Sequence, residues 1–217
     1  MECYGFSSAI LVALLQEVPM FVDRPPVAAG AGAARIAPLE PPFDPPTQQR
    51  LERLTPPGAP NILALFRVLA INPNLAERMA GWGGYLLGRH ATLPLRDREV
   101  VIDRVCARCG AEYEWGVHVA AFSAPAGFTA QQTAAIARVD ADRSPLTERD
   151  RLLVRLVDEL HDTCDVTDAL WGELAQQWSP PQLIELLLLA GWYRAIAYVC
   201  RVLRVPLEDW QARFDAV

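Results

Sequence analysis

The segment CARCGAEYEWGVH, from Cys106 to His118, gathers side chains that can do chemistry within about four turns of a helix. It contains two thiols, two carboxylates, an indole, a phenol and an imidazole. Glu114 and His118 are four residues apart, so on a helix their side chains lie on one face within hydrogen-bond reach. A carboxylate beside an imidazole fixes its tautomer and raises the basicity of the far nitrogen. The spacing indicates an acid/base pair, with a solvated surface pair as the alternative.

The helix that carries this pair is predicted to be apolar around most of its circumference. Its apolar residues include Tyr113, Trp115, Val117 and Val119. We therefore expect His118 to be shielded from solvent, and Tyr113 and Trp115 to line a pocket beside it.

A further carboxylate, Glu99, lies one predicted helix earlier in a segment built mainly of valine, isoleucine and arginine. A buried acid needs a partner to offset its desolvation. Nearby arginines could provide one in a structural network, and these are Arg98, Arg104 and Arg108. Alternatively, Glu99 is the second carboxylate of the site, and Arg98 or Arg104 supplies a counter-charge to an anionic substrate.

Cys106 and Cys109 form a CxxC sequence on the same predicted helix as Glu99. Such a pair can be a redox dithiol, half of a zinc site, or two small core residues. A structural zinc site needs four ligands, and the sequence offers no second CxxC or histidine pair at ligand spacing. We therefore expect no metal site, and the redox and core interpretations remain open.

The other histidines are expected at the ends of helices. His90 follows Arg89 in a predicted loop, and His161 lies in the sequence ELHDTCD. The helix dipole favours a partly charged imidazole at a C-terminal end. A structural role is therefore predicted for both.

The charge balance of the chain excludes several classes of function. Its 217 residues carry a formal charge of −6, which argues against a nucleic-acid partner because phosphate binding needs a clustered basic surface. All 20 basic residues are arginine. The absence of lysine removes Schiff-base catalysis and the phosphate-binding lysine of P-loop enzymes. A small-molecule substrate is the remaining expectation.

The cysteine count and the hydropathy pattern point to the cytoplasm. Five cysteines are an odd number in a chain with 52% hydrophobic residues, which predicts reduced thiols around a full core. The most apolar segment, LIELLLLAGWYRAIAYVCRVL, is interrupted by Glu185, Arg194 and Arg201. A membrane span needs about 20 apolar residues. We therefore expect a cytoplasmic protein without a membrane partner.

Proline content divides the chain into two regions. Eleven of the 18 prolines fall within residues 1–60, which predicts an N-terminal arm that either extends freely or wraps a neighbouring surface. From Asn61 onward, apolar residues recur every three or four positions, so residues 61–217 are predicted to form an all-α domain. The candidate helix caps are Thr129, then either Asp165 or Thr167, and Ser179.

The predicted helices also contain a faint internal repeat. RDREVVIDRV, which begins at Arg96, resembles RDRLLVRLVDEL, which begins at Arg149, and a shorter and then a longer helix are predicted after each. Two similar helical halves that pack on each other would explain this pattern. Chance similarity between amphipathic helices is the alternative.

The string LPLRDREVVIDRVCARCGAEYEWGVHVAAFSAPAGFTAQQTAAI resembles the carboxymuconolactone decarboxylase and alkyl hydroperoxidase D superfamily. The similarity is to the branch with a YEWxxH helix after an RE segment, and it extends from about Asn61 to Pro206. This resemblance implies an all-helical fold, assembly into homo-oligomers, and a site between helices that often lies at a subunit boundary.

The resemblance also distinguishes two chemistries. Peroxidase members carry a glutamate, then a CxxC, then a histidine four residues after the second cysteine. Here Glu99 and His118 match, but Ala111 and Glu114 occupy the cysteine positions, and the CxxC is displaced by five residues. Decarboxylase members instead carry a glutamate and a histidine at the ExxxH spacing, which Glu114 and His118 match.

The combined hypothesis is a homo-oligomeric decarboxylase-like enzyme without metal or cofactor that acts on a small carboxylate or lactone. His118 is the general acid or base, Glu114 orients it, and Glu99 is the second carboxylate. A thiol-dependent peroxidase that uses Cys106 and Cys109 is the first alternative. A non-catalytic oligomeric binding protein is the second.

Overall fold

The computed structural model describes residues 32–55 and 59–216, and the regular structure within these ranges is helical. The helices are α1 (Pro45–Leu54), α2 (Ala64–Leu69), α3 (Pro73–Leu86), α4 (Leu95–Arg108), α5 (Glu112–Phe122), α6 (Ala130–Ala137), α7 (Glu148–Thr163), α8 (Asp168–Gln177) and α9 (Pro180–Leu203), followed by a 3-10 turn (Phe214–Ala216). The prediction of an all-α fold is confirmed.

Local sequence signals determine where these helices begin. The Thr129 side chain accepts a hydrogen bond from the backbone N–H of Gln132, and Gln132 accepts one from the N–H of Thr129, which completes a capping box before α6. The Thr167 hydroxyl accepts from the N–H of Leu170 at the start of α8. At Ser179, the backbone N–H donates to the side chain of Gln182, and Pro180 follows at the first helical position of α9.

Helix α4 lies at the centre of the fold, where it packs against α5, α6, α7 and α9. Four of its apolar side chains are completely inaccessible to solvent: Val100, Val101, Ile102 and Cys106. A central helix is surrounded by neighbours, so its polar residues are buried as well. Glu99, Asp103 and Arg104 are each no more than 2% exposed, which makes α4 the helix on which burial of charge is concentrated.

Two reciprocal ion pairs join α4 to α7. Arg96 contacts Asp150 at 2.8 Å, and Arg149 contacts Asp97 at 2.6 Å. When the two repeats are aligned, Arg96 corresponds to Arg149 and Asp97 to Asp150, so each arginine binds the aspartate of the other half. This exchange is expected of two halves related by an approximate two-fold axis. It supports the repeat hypothesis, with α4–α6 and α7–α9 as the two halves. The predicted order of a shorter and then a longer helix is found only in the second half, because α6 is shorter than α5.

The described part of the proline-rich region packs against the helical domain. The N–H of Arg35 donates to the carbonyl of Leu203 at the end of α9, and Leu51 of α1 is completely buried. The sequence pattern did not predict α1, because Pro45 and Pro46 suggested an extended chain. They occupy the first turn of the helix, where the missing N–H groups cost nothing, and Asp44 caps it. Residues 1–31 and 56–58 of the predicted arm lie outside the described residues.

Helix α9 is long and apolar enough to cross a membrane, a criterion that core helices of soluble proteins also meet. Half of its most apolar window is buried inside the chain. It packs against α4, α5 and α8, so it contributes to the core while its other face stays exposed.

We expect the reciprocal ion pairs to contribute measurably to stability. In an Asp97→Ala variant, the Arg149 guanidinium and the indole N–H of Trp178 both lose their acceptor, and removal of one partner of a buried pair costs about 3–5 kcal/mol. The matched control is Glu173→Ala, which removes the exposed Arg155–Glu173 pair and should cost less than about 1 kcal/mol. Urea unfolding measures both losses, and equal losses would contradict this assignment.

Candidate active site

His118 lies at the meeting point of three helices and is 4% exposed. Its Nδ1 is 2.8 Å from Oε2 of Glu99 on α4, and its Nε2 is 3.0 Å from the hydroxyl oxygen of Tyr193 on α9. On its own helix, α5, the Glu114 carboxylate is 3.6 Å from Nε2. Both ring nitrogens therefore have a polar neighbour within the protein.

The chain segment after Asp209 packs against α5. The N–H of Ala212 donates to the carbonyl of Gly116, and the Phe214 ring packs against Trp115 with centroids 4.7 Å apart. A Cβ at Gly116 would lie 2.2 Å from the carbonyl oxygen of Ala212. Glycine is therefore required there for this close approach, which fixes the position of α5 and hence of His118.

Glu99, and not Glu114 as expected, is the glutamate that makes the short contact to the imidazole. We expected Glu114 to orient the imidazole, but its 3.6 Å distance exceeds that of a hydrogen bond. Glu99 makes the short contact to the ring and is the orienting carboxylate. The sequence spacing correctly placed Glu114 and His118 on one face, but side chains from different helices can approach more closely than an i,i+4 pair.

The charge of His118 follows from its surroundings. Burial lowers the pKa of this imidazole, but attraction to Glu99, the hydrogen bond to Glu99 and the nearby Glu114 carboxylate raise it more, so the net pKa is about 10. At neutral pH the ring is an imidazolium, and both nitrogens are donors. Nδ1 donates to Glu99 and Nε2 to the oxygen of Tyr193. The site at rest thus holds a proton that it can deliver from Nε2.

Two residues of this site were missed by sequence reasoning. Asp103 is one helical turn after Glu99 and 1% exposed, and its Oδ1 has no hydrogen-bond partner among the described residues. Burial raises the pKa of Asp103, and repulsion from Glu99 raises it further, so its carboxyl tends to keep its proton. The four-residue spacing of Glu99 and Asp103 could have indicated it. Tyr193 is 75 positions from His118, and no local pattern connects them.

The contacts of the remaining predicted substrate-binding residues lead away from the imidazole. The Tyr113 hydroxyl donates to Glu208 at 2.7 Å and accepts from the N–H of Leu65. Trp115 is completely buried in the core against the Phe214 ring rather than at the wall of a pocket. The Arg98 guanidinium donates to the carbonyl of Leu86 at 3.2 Å. These contacts support structural roles.

The CxxC cysteines are free thiols with raised pKa values. Cys106 is completely buried, and both burial and the nearby Glu114 charge raise its pKa. Burial also raises the pKa of Cys109, although Arg194 and Arg201 oppose this. Since the thiolate is the reactive form, both cysteines are weak nucleophiles at neutral pH. This environment favours the core interpretation over the redox one.

Taken together, fold and site define an all-helical protein with a buried carboxylate–imidazole pair between neighbouring helices. A crystal structure of an uncharacterized peroxidase-related protein from Silicibacter sp. TM1040 shares the fold, with a TM-score of 0.71 at 16% sequence identity. The alignment covers 85% of this chain and 100% of that chain. At this identity the likeness concerns the fold alone.

The central part of the chain is similar to a known protein family. The profile of the Carboxymuconolactone decarboxylase family matches residues 73–156, a range that contains Glu99, Asp103, Glu114 and His118. The resemblance predicted from the sequence is therefore confirmed for this region. No curated protein matches the chain by sequence.

We expect the imidazole of His118 to remain protonated at pH 8, because its pKa is about 10. Nitrogen-15 NMR of the three histidines measures this directly. A Glu99→Gln variant removes the principal attraction and should lower this pKa by about two units or more. The control is Glu112→Gln on α5, the helix that carries His118, and it should leave the pKa of His118 unchanged. A neutral His118 ring at pH 7 in the unaltered protein would overturn the assignment.

The same shift makes stability depend on pH. The folded pKa of His118 is about 10 and its ordinary value is 6.5, so its stabilisation is complete below pH 6.5 and is lost as the pH rises towards 10. Over this window the free energy of unfolding should fall by up to about 1.4 kcal/mol per pH unit from this residue. Urea unfolding at several pH values should show a shallower slope in a Glu99→Gln/His118→Gln variant. Equal slopes would contradict the prediction.

Proposed function

We propose that this protein is an acid/base enzyme that decarboxylates or otherwise moves a proton at carbon in a small carboxylate or lactone. In this proposal His118 is the proton donor and acceptor. Glu99 holds the Nδ1 side of the ring, and Tyr193 and Glu114 lie at the Nε2 side. The family of residues 73–156 and the buried imidazolium support this function.

The observation that carries the proposal is a difference between the two halves of the fold. Aligning α4 and α5 with α7 and α8, through Arg96 with Arg149 and through the N-caps Ala111 and Thr167, pairs each ionisable residue of the site with a leucine. The pairs are Glu99 with Leu152, Asp103 with Leu156, Glu114 with Leu170, and His118 with Leu174.

All four of these leucines are buried, with exposures between 0% and 5%. The second half therefore fills these positions with apolar side chains that need no partner. In the first half the same positions hold three acids and an imidazole, whose burial costs desolvation free energy. Because the fold accepts leucine there, packing alone does not require the charged set. Chemistry is the function that accounts for it.

The proposed reaction uses the proton on Nε2. As the bond to the carboxylate carbon breaks, carbon dioxide leaves and the electron pair passes to the adjacent carbon or a conjugated carbonyl. The Nε2 proton of His118 is then transferred to that carbon, and solvent restores it to the ring. Glu99 stabilises the charged ring before the transfer and favours its reprotonation afterwards. The reacting carbon would take the position at Nε2 that the Tyr193 hydroxyl occupies here.

A second candidate is a thiol-dependent peroxidase that uses Cys106 and Cys109. The peroxidase-related description of the Silicibacter protein is the observation in its favour. The raised pKa values of both thiols weigh against it, because a peroxidatic cysteine must ionise. A non-catalytic binding protein is the third candidate, and the cost of burying the ionisable groups of the site does not favour it.

The resemblance also supports a proposal about the setting of the reaction. We infer a cytoplasmic homo-oligomer, because the family that the sequence resembles assembles in this way and the four cysteines within the described residues are free thiols. His118 is buried, which agrees with a site that lies between helices.

Substitutions at the site should separate function from folding. We expect His118→Gln to lower carbon dioxide release from lactone carboxylates by about 10²–10⁴-fold, the usual contribution of a positioned acid/base group. A variant with leucine at all four positions, Glu99→Leu/Asp103→Leu/Glu114→Leu/His118→Leu, should fold, because the second half has buried leucines at the equivalent positions, and it should be inactive. Glu173→Gln, at an exposed ion pair, is the control with full activity.

The same assay tests the alternatives. Cys106→Ser and Cys109→Ser should retain turnover, and the reduced protein should not consume peroxide through these thiols. Cysteine-dependent peroxide consumption would favour the peroxidase. Full decarboxylation activity in His118→Gln would refute the acid/base proposal.

A further inference from the structure

A second concave site lies between α4, α7 and α9, away from the His118 imidazole. It is a cavity of about 210 Å³. Its lining residues are Val105, Val157, Leu160, His161, Cys164, Leu187, Ala190, Gly191 and Arg194. None of them is among the residues that contact His118, so this is a separate site.

The wall of this cavity is apolar and its rim is polar. Val105, Val157 and Leu160 come from the buried faces of α4 and α7, and Leu187 on α9 is 37% exposed at the edge. Its volume is below the roughly 300–1,000 Å³ of sites for drug-sized ligands. A short hydrocarbon chain suits such a wall, since water would find few hydrogen-bond partners there.

The rim of the cavity carries positive charge without a matching anion. The Arg194 guanidinium donates from Nε to the Tyr198 hydroxyl at 2.8 Å and from Nη1 to the carbonyl of His161. Both acceptors are neutral, and no carboxylate of the described residues forms an ion pair with Arg194. The arginine therefore retains its full charge at the mouth of an apolar cavity.

His161, which also lines the cavity, does not add a second positive charge to the rim. Burial lowers the pKa of His161, and the charges of Arg108 and Arg194 lower it further. His161 lies in the last turn of its helix, as expected, but burial and the two guanidinium groups favour the neutral ring over the partly charged one that the sequence suggested. Nearby Asp158 and Asp162 are paired with Arg108. The positive charge at the rim is that of Arg194.

Gly191 lies on α9 among the residues that line the cavity and is exposed to solvent. A Cβ at this position would meet no atom within 4 Å, so packing within the chain does not require glycine. A larger side chain can therefore be placed at the lining of the cavity without a clash of its Cβ, which makes position 191 suitable for a test of the site.

We propose that this cavity binds a small organic acid, with its hydrocarbon chain against Val105, Val157 and Leu160 and its carboxylate at Arg194. Charge complementarity and the apolar wall select an anion with a short apolar body over a neutral or a purely polar molecule. The proposal goes beyond the acid/base function, because it concerns different residues and predicts binding rather than turnover.

The test uses hexanoate and 1-hexanol as matched probes, which share a six-carbon chain and differ in charge. Isothermal titration of the full chain measures saturable binding of each probe. Arg194→Gln keeps a hydrogen-bonding group without the charge, so it should weaken hexanoate binding by about tenfold and leave hexanol binding unchanged. Gly191→Leu fills the cavity and should abolish binding of both probes.

The control variant is Gly172→Leu on α8, since a Cβ at Gly172 also meets no atom within 4 Å but lies outside the cavity. It should bind both probes normally. His118→Gln should also bind hexanoate normally, which separates this site from the proposed catalytic one. Absence of saturable hexanoate binding at millimolar concentrations would overturn the proposal. Unchanged hexanoate binding in Gly191→Leu would overturn it as well.

Discussion

The ion pair between Glu99 and His118 is the interaction around which the other features of the site are arranged. It joins two helices at 2.8 Å inside the protein, where an unpaired charge of either sign would be costly. The pair requires α4 and α5 to keep a fixed spacing, and it determines which ring nitrogen faces Tyr193. Burial raises the pKa of Asp103, and the Glu99 carboxylate one helical turn away raises it further, so that acid tends to remain neutral. One contact therefore sets the geometry of the site, the orientation of the ring and much of the charge balance.

Much of the fold could be predicted because its signals are local. Capping residues such as Thr129 and Thr167 act within four positions of the chain, and the apolar periodicity of α5 predicted its bounds. Helix α1 was missed because its first turn consists of prolines, which favour either an extended chain or the start of a helix. The helix is selected over the extended chain by the tertiary packing of Leu51, and a local sequence pattern does not show which residues will be packed in this way.

The site was predictable to the extent that its residues share a helix. Glu114 and His118 were found from their spacing, and Glu99 was found as an acid in an otherwise apolar and basic segment, with support from the family resemblance. Tyr193 could not be found in this way, because the packing of α9 against α5 brings it to the ring. For Trp115 the sequence suggested too much. A large aromatic residue beside a catalytic candidate was expected to line a pocket, but the Phe214 ring of the chain segment after Asp209 packs against it.

The contact between that C-terminal segment and α5 has a practical consequence. The backbone bond from Ala212 to Gly116 and the Phe214 ring on Trp115 cover the outer side of the helix that carries His118. Proteolytic cleavage after Asp209 would remove both and uncover a large indole at the surface. A truncated chain of this kind would expose an aggregation-prone apolar patch and lose the alignment of its imidazole, although every ionisable residue of the site would still be present. The last turn of the chain thus acts as a structural support for a site to which it contributes no reactive group.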